Sequence, residues 1–156
     1  MNRNKYWLIN LAAVSLFLTD IFLKRIFLAL PGQEYFILGS LVKLKLATNK
    51  GVAFGLLAQT GLLANQQLFL YFYIFIFLIL AYWLIKEYRK KNRILMSALT
   101  LIIFGALSNL LDRLFFGAVI DYLDLKYYSV FNLADVMIMA GVVIIIFSGY
   151  LKKPVA

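Results

Sequence analysis

Apolar residues fill four long stretches of this chain, and polar residues collect near the ends of those stretches. The stretches cover residues 6–30, 67–85, 94–116 and 133–151. A helix needs roughly 20 mainly apolar residues to cross a bilayer, and each stretch is close to that length or longer. The pattern predicts an all-α membrane protein with four transmembrane helices, folded as a single polytopic domain over residues 1–156.

The connection between the first two stretches contains a segment with the two-residue period of a β-strand. Residues 41–46 read L-V-K-L-K-L, in which apolar side chains alternate with lysines. Such alternation is typical of a strand with two different faces. We therefore expect a small extracytoplasmic β-sheet between helices 1 and 2. The connection at residues 117–132 is a second place where an extended segment fits.

Lysine and arginine are divided unevenly between the two sides of the predicted membrane. The N-terminal tip, the second connection and the C-terminal tail together hold nine basic residues and one acidic residue, a net charge of +8. The rest of the chain holds seven basic and six acidic residues, a net charge of +1. The positive-inside rule places both termini in the cytoplasm. Because the basic clusters lie beside apolar stretches, we expect membrane lipids as partners and no nucleic acid.

Composition limits the available chemistry. Hydrophobic residues make up 64% of the chain, more than a water-soluble domain of 156 residues is expected to bury. The chain has no cysteine and no histidine. This excludes cysteine nucleophiles, histidine bases and the usual zinc ligand sets, so we expect no metal and no cofactor. Any catalysis must use Asp, Glu, Lys, Ser, Thr or Tyr.

Charged and amide side chains interrupt two of the predicted spans near the extracytoplasmic side. Asp20 and Lys24 are four residues apart in the first span, a spacing that places both on one helix face. Asn109, Asp112 and Arg113 lie within five residues near the end of the third span. Charges inside a membrane are costly and usually functional. A structural ion pair is the simplest interpretation of the first pair, and the second group indicates a site.

Two further aspartates lie on either side of the last connection. Asp121 follows three apolar residues, and Asp135 lies at the start of the fourth span. Taken alone, Asp121 is compatible with a solvated loop, and Asn132 with Asp135 is compatible with a helix cap. If the connection folds back, the two carboxylates meet. Such a pair shares one proton and can activate water, which is aspartic-protease chemistry.

The ordered motifs of the chain resemble those of the lipoprotein signal peptidases, the signal peptidase II family. The resemblance covers almost the whole chain, and the ordered set is more specific than any one motif. The matching segments are the D-x-x-x-K pair at residues 20 and 24, and residues 49–55, 108–113, 117–122 and 131–135. The chain departs mildly from the family pattern at four positions: Val52, Ser108, Ile120 and Tyr122.

The resemblance implies roles for individual residues. It makes Asp121 and Asp135 the catalytic pair, with Asp112 as the main rival for the first role. It implies that five residues line the substrate site: Asn49, Gly51, Asn109, Arg113 and Asn132. Three residues are expected to be structural or orienting: Asp20, Lys24 and Asp112.

The resemblance also implies a substrate and a location. The substrate would be a prolipoprotein whose cysteine already carries diacylglycerol, and cleavage would fall just before that cysteine. The enzyme would be a monomer in the bacterial cytoplasmic (inner) membrane, with its active site toward the extracytoplasmic face.

Three other functions remain open at this point. A small transporter would also use charged groups inside the membrane. A Ser/Lys peptidase would use Ser108 or Ser15 as nucleophile, with Lys24 approaching in space. A non-enzymatic assembly subunit would keep its function without either aspartate.

Overall fold

The computed structural model of the protein describes residues 5–49 and 66–150. In these ranges, one helix lies along each of the four apolar stretches, which confirms the four predicted helices. The elements are α1 Lys5–Ala29, β1 Glu34–Leu38, β2 Val42–Asn49, α2 Gln66–Arg89, α3 Arg93–Phe116, β3 Val119–Leu125 and α4 Leu133–Tyr150.

The helices differ in how well they suit a bilayer. Among the described residues, Leu70–Arg89 and Arg93–Phe116 are long and apolar enough to cross a membrane. The apolar segment of α4, Leu133–Ser148, is shorter. Helix α1 carries Asp20, Lys24 and Arg25 in its second half. The described residues therefore contain four helices as predicted, and two of them have the length and apolarity of a membrane span.

The distribution of polarity is the reverse of that in a water-soluble protein. Large apolar side chains such as Trp7, Phe22 and Phe75 are exposed on the helix surfaces. Charged and amide side chains such as Asp20, Lys24 and Asn132 are buried. Extended exposed apolar surface marks contact with a membrane or a partner. Together with the apolar helices, this arrangement indicates a membrane protein.

Helix α3 is the central helix and packs against α1, α2 and α4. Two glycines allow the closest approach between α3 and α4. A Cβ atom added to Gly105 would lie 2.5 Å from the carbonyl oxygen of Ala134, and one added to Gly141 would lie 2.6 Å from that of Ala98. These distances are too short for any side chain, so the two backbones meet directly. The first contact lies at the end of α4 where the polar residues collect.

The three strands form one antiparallel sheet in the order β1-β2-β3. Strands β1 and β2 come from the connection between α1 and α2, as predicted. The predicted sheet between helices 1 and 2 was incomplete, because β3 comes from the connection between α3 and α4. Strand β2 is the middle strand, and its Ala47 is paired with Asp121 of β3. The sheet therefore joins the two connections on one side of the helices.

The chain reverses between β3 and α4. Phe131 forms an isolated antiparallel bridge with Leu123, with backbone hydrogen bonds of 2.8 and 3.0 Å. At the other end of β3, Gly117 adopts a left-handed conformation with φ 71° and ends α3, and its N–H donates to the carbonyl of Arg113. The two turns return the chain so that β3 lies beside the start of α4.

Candidate active site

A buried lysine lies at the centre of the polar cluster. The ammonium of Lys24, which is 1% exposed, lies 2.7 Å from Asp20 and 2.8 Å from Asp112. It also donates hydrogen bonds to the Ser108 hydroxyl at 3.1 Å and to the side-chain oxygen of Asn109 at 3.0 Å. The i,i+4 ion pair expected from the spacing in α1 is present. Four acceptors surround one cation, which is how a buried charge is tolerated.

Asp20 accepts hydrogen bonds from three other elements of the fold. Its Oδ2 accepts from the Ser108 hydroxyl of α3 at 2.6 Å. Its Oδ1 accepts from the Tyr122 hydroxyl of β3 at 2.9 Å. The same oxygen accepts from the backbone N–H groups of Leu133 and Ala134, at 3.0 and 3.3 Å, in the first turn of α4. Asp20 therefore connects α1 to α3, β3 and α4, in addition to its ion pair with Lys24.

Asp112 makes contacts that hold the strand next to it. Its Oδ2 accepts from the backbone N–H of Ile120 at 3.1 Å and pairs with Lys24. Ile120 directly precedes Asp121 in β3. Asp112 was the rival candidate for catalysis, and its described contacts connect α3 to the strand that carries Asp121.

Asn132 joins the two candidate catalytic aspartates. Asp121 lies in β3 and is 3% exposed, and Asp135 lies in the first turn of α4. The side-chain amide of Asn132 donates to Asp121 at 2.7 Å. Its side-chain oxygen accepts from the backbone N–H of Asp135 at 2.9 Å, and its own N–H donates to the Asp135 carboxylate at 3.3 Å. One asparagine therefore contacts both aspartates.

The pairing of Asn132 with Asp135 is also a capping box at the start of α4. In a capping box, the N-cap side chain and the side chain three residues later each accept the other's backbone N–H. The cap interpretation of these two residues is thus confirmed. It does not compete with a role in the site, because the amide of Asn132 remains free to donate to Asp121.

Asn109 holds the second carboxylate from α3. Its amide donates to Asp135 at 2.8 Å. Its oxygen accepts from Lys24 and from the amide of Asn132, the latter at 3.1 Å. Because the oxygen faces these donors, the amide can only point toward Asp135. The cation of Lys24 is connected in this way to a candidate catalytic group.

The environment of Asp121 favours its protonated form. Burial is the largest effect and the nearby charge of Asp135 adds to it, and together they raise the pKa of Asp121 to about 7. Hydrogen bonds from Asn132 and Asn49 and the charge of Lys24 act in the opposite direction. A carboxyl group with a pKa near neutrality is suited to hold or release a proton during a reaction.

The remaining predicted site residues lie around this pair. The Arg113 guanidinium donates to the Tyr73 hydroxyl at 2.9 Å and interacts electrostatically with Asp121 and Asp135. Asn49, at the end of β2, hydrogen-bonds Asp121. Gly51 lies outside the described residues. All the other predicted site residues belong to one connected cluster.

Two tyrosines of this cluster were missed as site residues. Tyr73 contacts Arg113 from α2, and Tyr122 contacts Asp20 from β3. Tyr73 lies in an aromatic-rich span, where nothing in the spacing distinguishes it from lipid-facing neighbours. Tyr122 directly follows Asp121, and this position beside a candidate catalytic residue could have indicated that its hydroxyl belongs to the site. In the described parts of the chain, no cluster of three or more His, Cys, Asp or Glu side chains is arranged to hold a metal ion.

Comparison with solved structures defines the class of protein. A bacterial membrane enzyme determined by the in meso method at 1.9 Å resolution superimposes with a TM-score of 0.75. It is 28% identical, and the match covers 97% of this chain and 95% of that one. A second such structure, at 2.3 Å resolution, gives a TM-score of 0.76 with 24% identity over 99% of this chain and 94% of its own, and shows the same fold. The fold is that of a bacterial membrane enzyme.

Comparison of sequences identifies the family. The family described as signal peptidase (SPase) II matches residues 12–151. The lipoprotein signal peptidase of Moorella thermoacetica is 39% identical over 118 residues, 74% of this chain and 73% of that protein. That of Salmonella typhi is 38% identical over 122 residues, 74% of this chain and 70% of that protein. The Chlamydia trachomatis serovar D protein is 40% identical over 109 residues, 67% of this chain and 62% of that protein. The chain belongs to the signal peptidase II family and is a peptidase.

Proposed function

We propose that this protein removes the signal peptide from prolipoproteins, using Asp121 and Asp135 as an aspartic catalytic pair. The observation that carries the proposal is the placement of Asn132, which hydrogen-bonds Asp121 and caps the turn that holds Asp135. The lipoprotein signal peptidases similar to this chain supply the substrate class. We propose further that the substrate cysteine carries diacylglycerol and that cleavage falls just before it.

The proposed reaction needs one ionised and one protonated carboxyl group. The ionised member takes a proton from water, and the water oxygen attacks the scissile carbonyl carbon. The protonated member donates its proton to the carbonyl oxygen, giving a tetrahedral intermediate. The carboxyl group that took the proton from water then gives it to the leaving nitrogen, and the C–N bond breaks. One hydroxyl proton of the intermediate returns to the other carboxylate, and the signal peptide keeps the new carboxyl group. No covalent acyl-enzyme forms.

Neighbouring groups support this chemistry. The amides of Asn109 and Asn132 hydrogen-bond the two carboxylates and hold them in place. Arg113 lies near both aspartates and is held by Tyr73. A fixed cation beside the pair stabilises the negative charge that develops on the carbonyl oxygen. We assign Asn49, Gly51, Asn109, Arg113 and Asn132 to the substrate site on this basis.

The location follows from the chemistry of the substrate. A lipidated protein stays in the bilayer, so its peptidase must present the catalytic pair at the membrane surface. We propose four membrane spans, both termini in the cytoplasm, and the active site at the extracytoplasmic face of the cytoplasmic membrane of a bacterium. The charge distribution of the sequence supports this orientation. We propose that the enzyme acts as a monomer among membrane lipids.

A Ser/Lys mechanism has one observation in its favour and two against it. The Lys24 ammonium lies 3.1 Å from the Ser108 hydroxyl. A base must have a free lone pair, and this ammonium is paired with the carboxylates of Asp20 and Asp112. Ser108 is fully buried and already donates its proton to Asp20. The aspartic mechanism is therefore the one that this geometry favours.

Cleavage of a diacylglyceryl-modified prolipoprotein by the purified protein in detergent tests the proposal. The wild type is expected to release the signal peptide, and Asp121→Asn and Asp135→Asn are expected to be folded and inactive. Asp112→Asn should keep some turnover. Asp124→Asn is the matched control, since Asp124 is another β3 carboxylate and pairs with Lys45 at 2.8 Å.

Each alternative predicts a different result of this experiment. If Asp112→Asn is inactive while Asp121→Asn still cleaves, the first catalytic carboxylate is Asp112. If both aspartate variants keep wild-type turnover, the catalytic pair is wrong. If the wild type never cleaves, the peptidase proposal fails, and ion flux in liposomes would then test the transporter.

A further inference from the structure

One oxygen of Asp20 connects the two segments that carry the proposed catalytic aspartates. On one side, Oδ1 accepts from the Tyr122 hydroxyl at 2.9 Å, and Tyr122 directly follows Asp121 in β3. On the other side, the same oxygen accepts from the backbone N–H groups of Leu133 and Ala134. These are the first two residues of α4, whose first turn also holds the second aspartate.

Tyr122 completes the connection with a second contact. Its hydroxyl oxygen accepts from the Leu133 N–H at 3.2 Å while it donates to Asp20. The ring is buried and stacks on Phe27 of α1, with ring centroids 5.4 Å apart and planes at 4°. Burial and the adjacent Asp20 carboxylate raise the pKa of Tyr122, so the hydroxyl remains a donor. Asp20, Tyr122 and Leu133 thus form a closed triangle of hydrogen bonds.

We propose that Asp20 and Tyr122 are positioning residues that together fix the separation between Asp121 and Asp135. This inference rests on the proposed function. Neither positioning residue touches the reacting atoms, because both act through the backbone of β3 and of α4. A fixed separation matters because a displacement of about 1 Å can cost on the order of a hundredfold in rate.

The other oxygen of Asp20 serves a different purpose. Oδ2 is held by Lys24 at 2.7 Å and by the Ser108 hydroxyl at 2.6 Å. These contacts fix the orientation of the carboxylate, and the hydrogen bonds of the Ser108 hydroxyl go only to Asp20 and Lys24 of α1, not directly to β3 or α4. Removing the Ser108 hydroxyl therefore takes one hydrogen bond from the same buried carboxylate but leaves the three hydrogen bonds of the triangle intact. Ser108→Ala is the matched control for the proposal.

The separation of the two aspartates also controls how the pair titrates. Two nearby carboxylates repel each other when both are ionised. A short separation therefore raises the pKa at which the pair loses its last proton. If the triangle opens, repulsion decreases and the alkaline limit of activity moves to lower pH. Among the described residues, the titratable and charged groups around the pair come from α1, α2, α3 and β3: Asp20, Lys24, Tyr73, Asp112, Arg113 and Tyr122.

The experiment compares Tyr122→Phe, Asp20→Asn and Ser108→Ala in the cleavage assay, with kcat and KM measured across pH. Tyr122→Phe keeps the ring on Phe27 and removes only the hydroxyl. We expect kcat to fall about tenfold, KM to stay close to the wild-type value, and the alkaline limit to move to lower pH. Asp20→Asn removes the charge of the shared acceptor and should shift kcat and the alkaline limit in the same direction, while Lys24 stays paired with Asp112. Ser108→Ala should lower the melting temperature and leave the alkaline limit in place.

Two results would overturn the proposal. One is a folded Tyr122→Phe protein whose kcat and alkaline limit match the wild type. The other is a Ser108→Ala protein whose alkaline limit moves as far as that of Tyr122→Phe. The shift would then result from losing any hydrogen bond of the buried cluster, not from opening the triangle. Tyr122→Phe decides the question even if Asp20→Asn does not fold. A wild-type protein without cleavage activity would overturn the proposed function, which is a distinct outcome.

Discussion

The side-chain amide of Asn132 lies 2.7 Å from a carboxylate oxygen of Asp121. The same residue is the N-cap of α4, because its side-chain oxygen accepts the backbone N–H of Asp135. One residue therefore ends a loop, begins a helix and holds a catalytic candidate. Helix capping uses the side-chain oxygen of Asn132, and the contact with Asp121 uses its side-chain nitrogen. A mutation can therefore remove one contact and keep the other.

Asn132→Ser should separate the cap from the catalytic contact. Serine is a good N-cap, but it has no amide to donate to Asp121. We expect turnover to fall by about a hundredfold, the usual scale for losing a preorganised donor at a reacting group. Asn132→Ala should lose as much turnover and also about 1 kcal/mol of stability. Cleavage assays and melting temperatures of both variants check this, and equal stability of the two would contradict the capping role.

Local sequence patterns were enough to predict the helices and some contacts of the candidate site, while the roles of its residues came from the family resemblance. Apolar length gives the four helices, and i,i+4 spacing gives the pair of Asp20 and Lys24. The capping box is also local, since Asn132 and Asp135 are three residues apart. The fold-back that joins Asp121 to this box was predicted only as a possibility, and the backbone pairing of Leu123 with Phe131 explains it.

Contacts between residues far apart in the sequence could not be predicted from such local patterns. The hydrogen bond from Tyr122 to Asp20 spans 102 positions. An extended segment was expected within residues 117–132, but its pairing with β2 was not predicted, because β2 lies far earlier in the chain. Arg113 and Tyr73 belong to different helices. Each contact depends on how helices pack, and periodicity within one segment carries no information about its partner.

Ser108→Ala tests the Ser/Lys alternative directly. Ser108 is fully buried and donates to Asp20, and Lys24 beside it is ion-paired. We expect the variant to keep at least about half of wild-type turnover and to be less stable by about 1 kcal/mol, the typical loss of one buried hydrogen bond. Complete loss of cleavage by a folded Ser108→Ala protein would favour the serine nucleophile.

Activity should decline as the pH rises past neutrality. Burial and the charge of Asp135 raise the pKa of Asp121 to about 7, so the pair loses its last proton near that pH. Above it, no proton remains for the scissile carbonyl, and kcat/KM should fall about tenfold per pH unit.

Asn49→Ala should move this alkaline limit to higher pH. The Asn49 hydrogen bond favours the ionised form of Asp121 and lowers its pKa, so losing the bond raises the pKa further. Thr48→Ala is the control, since Thr48 is the exposed neighbour in β2. The cleavage rates of the wild type, Asn49→Ala and Thr48→Ala are measured across pH. A shift of the alkaline limit of Asn49→Ala to lower pH would contradict a hydrogen bond from Asn49 to ionised Asp121.

Gly105→Ala and Gly141→Ala should have similar effects on stability and different effects on activity. Both added methyl groups would collide with a backbone carbonyl of the facing helix, that of Ala134 for Gly105 and that of Ala98 for Gly141. Each substitution should force α3 and α4 apart and cost about 1–3 kcal/mol, seen as a lower melting temperature. Because Ala134 precedes Asp135, only Gly105→Ala displaces a catalytic candidate, and its turnover should fall at least about tenfold further than that of Gly141→Ala. Equal turnover in two folded variants with equally lowered melting temperatures would show that the position of the α4 start does not limit the reaction.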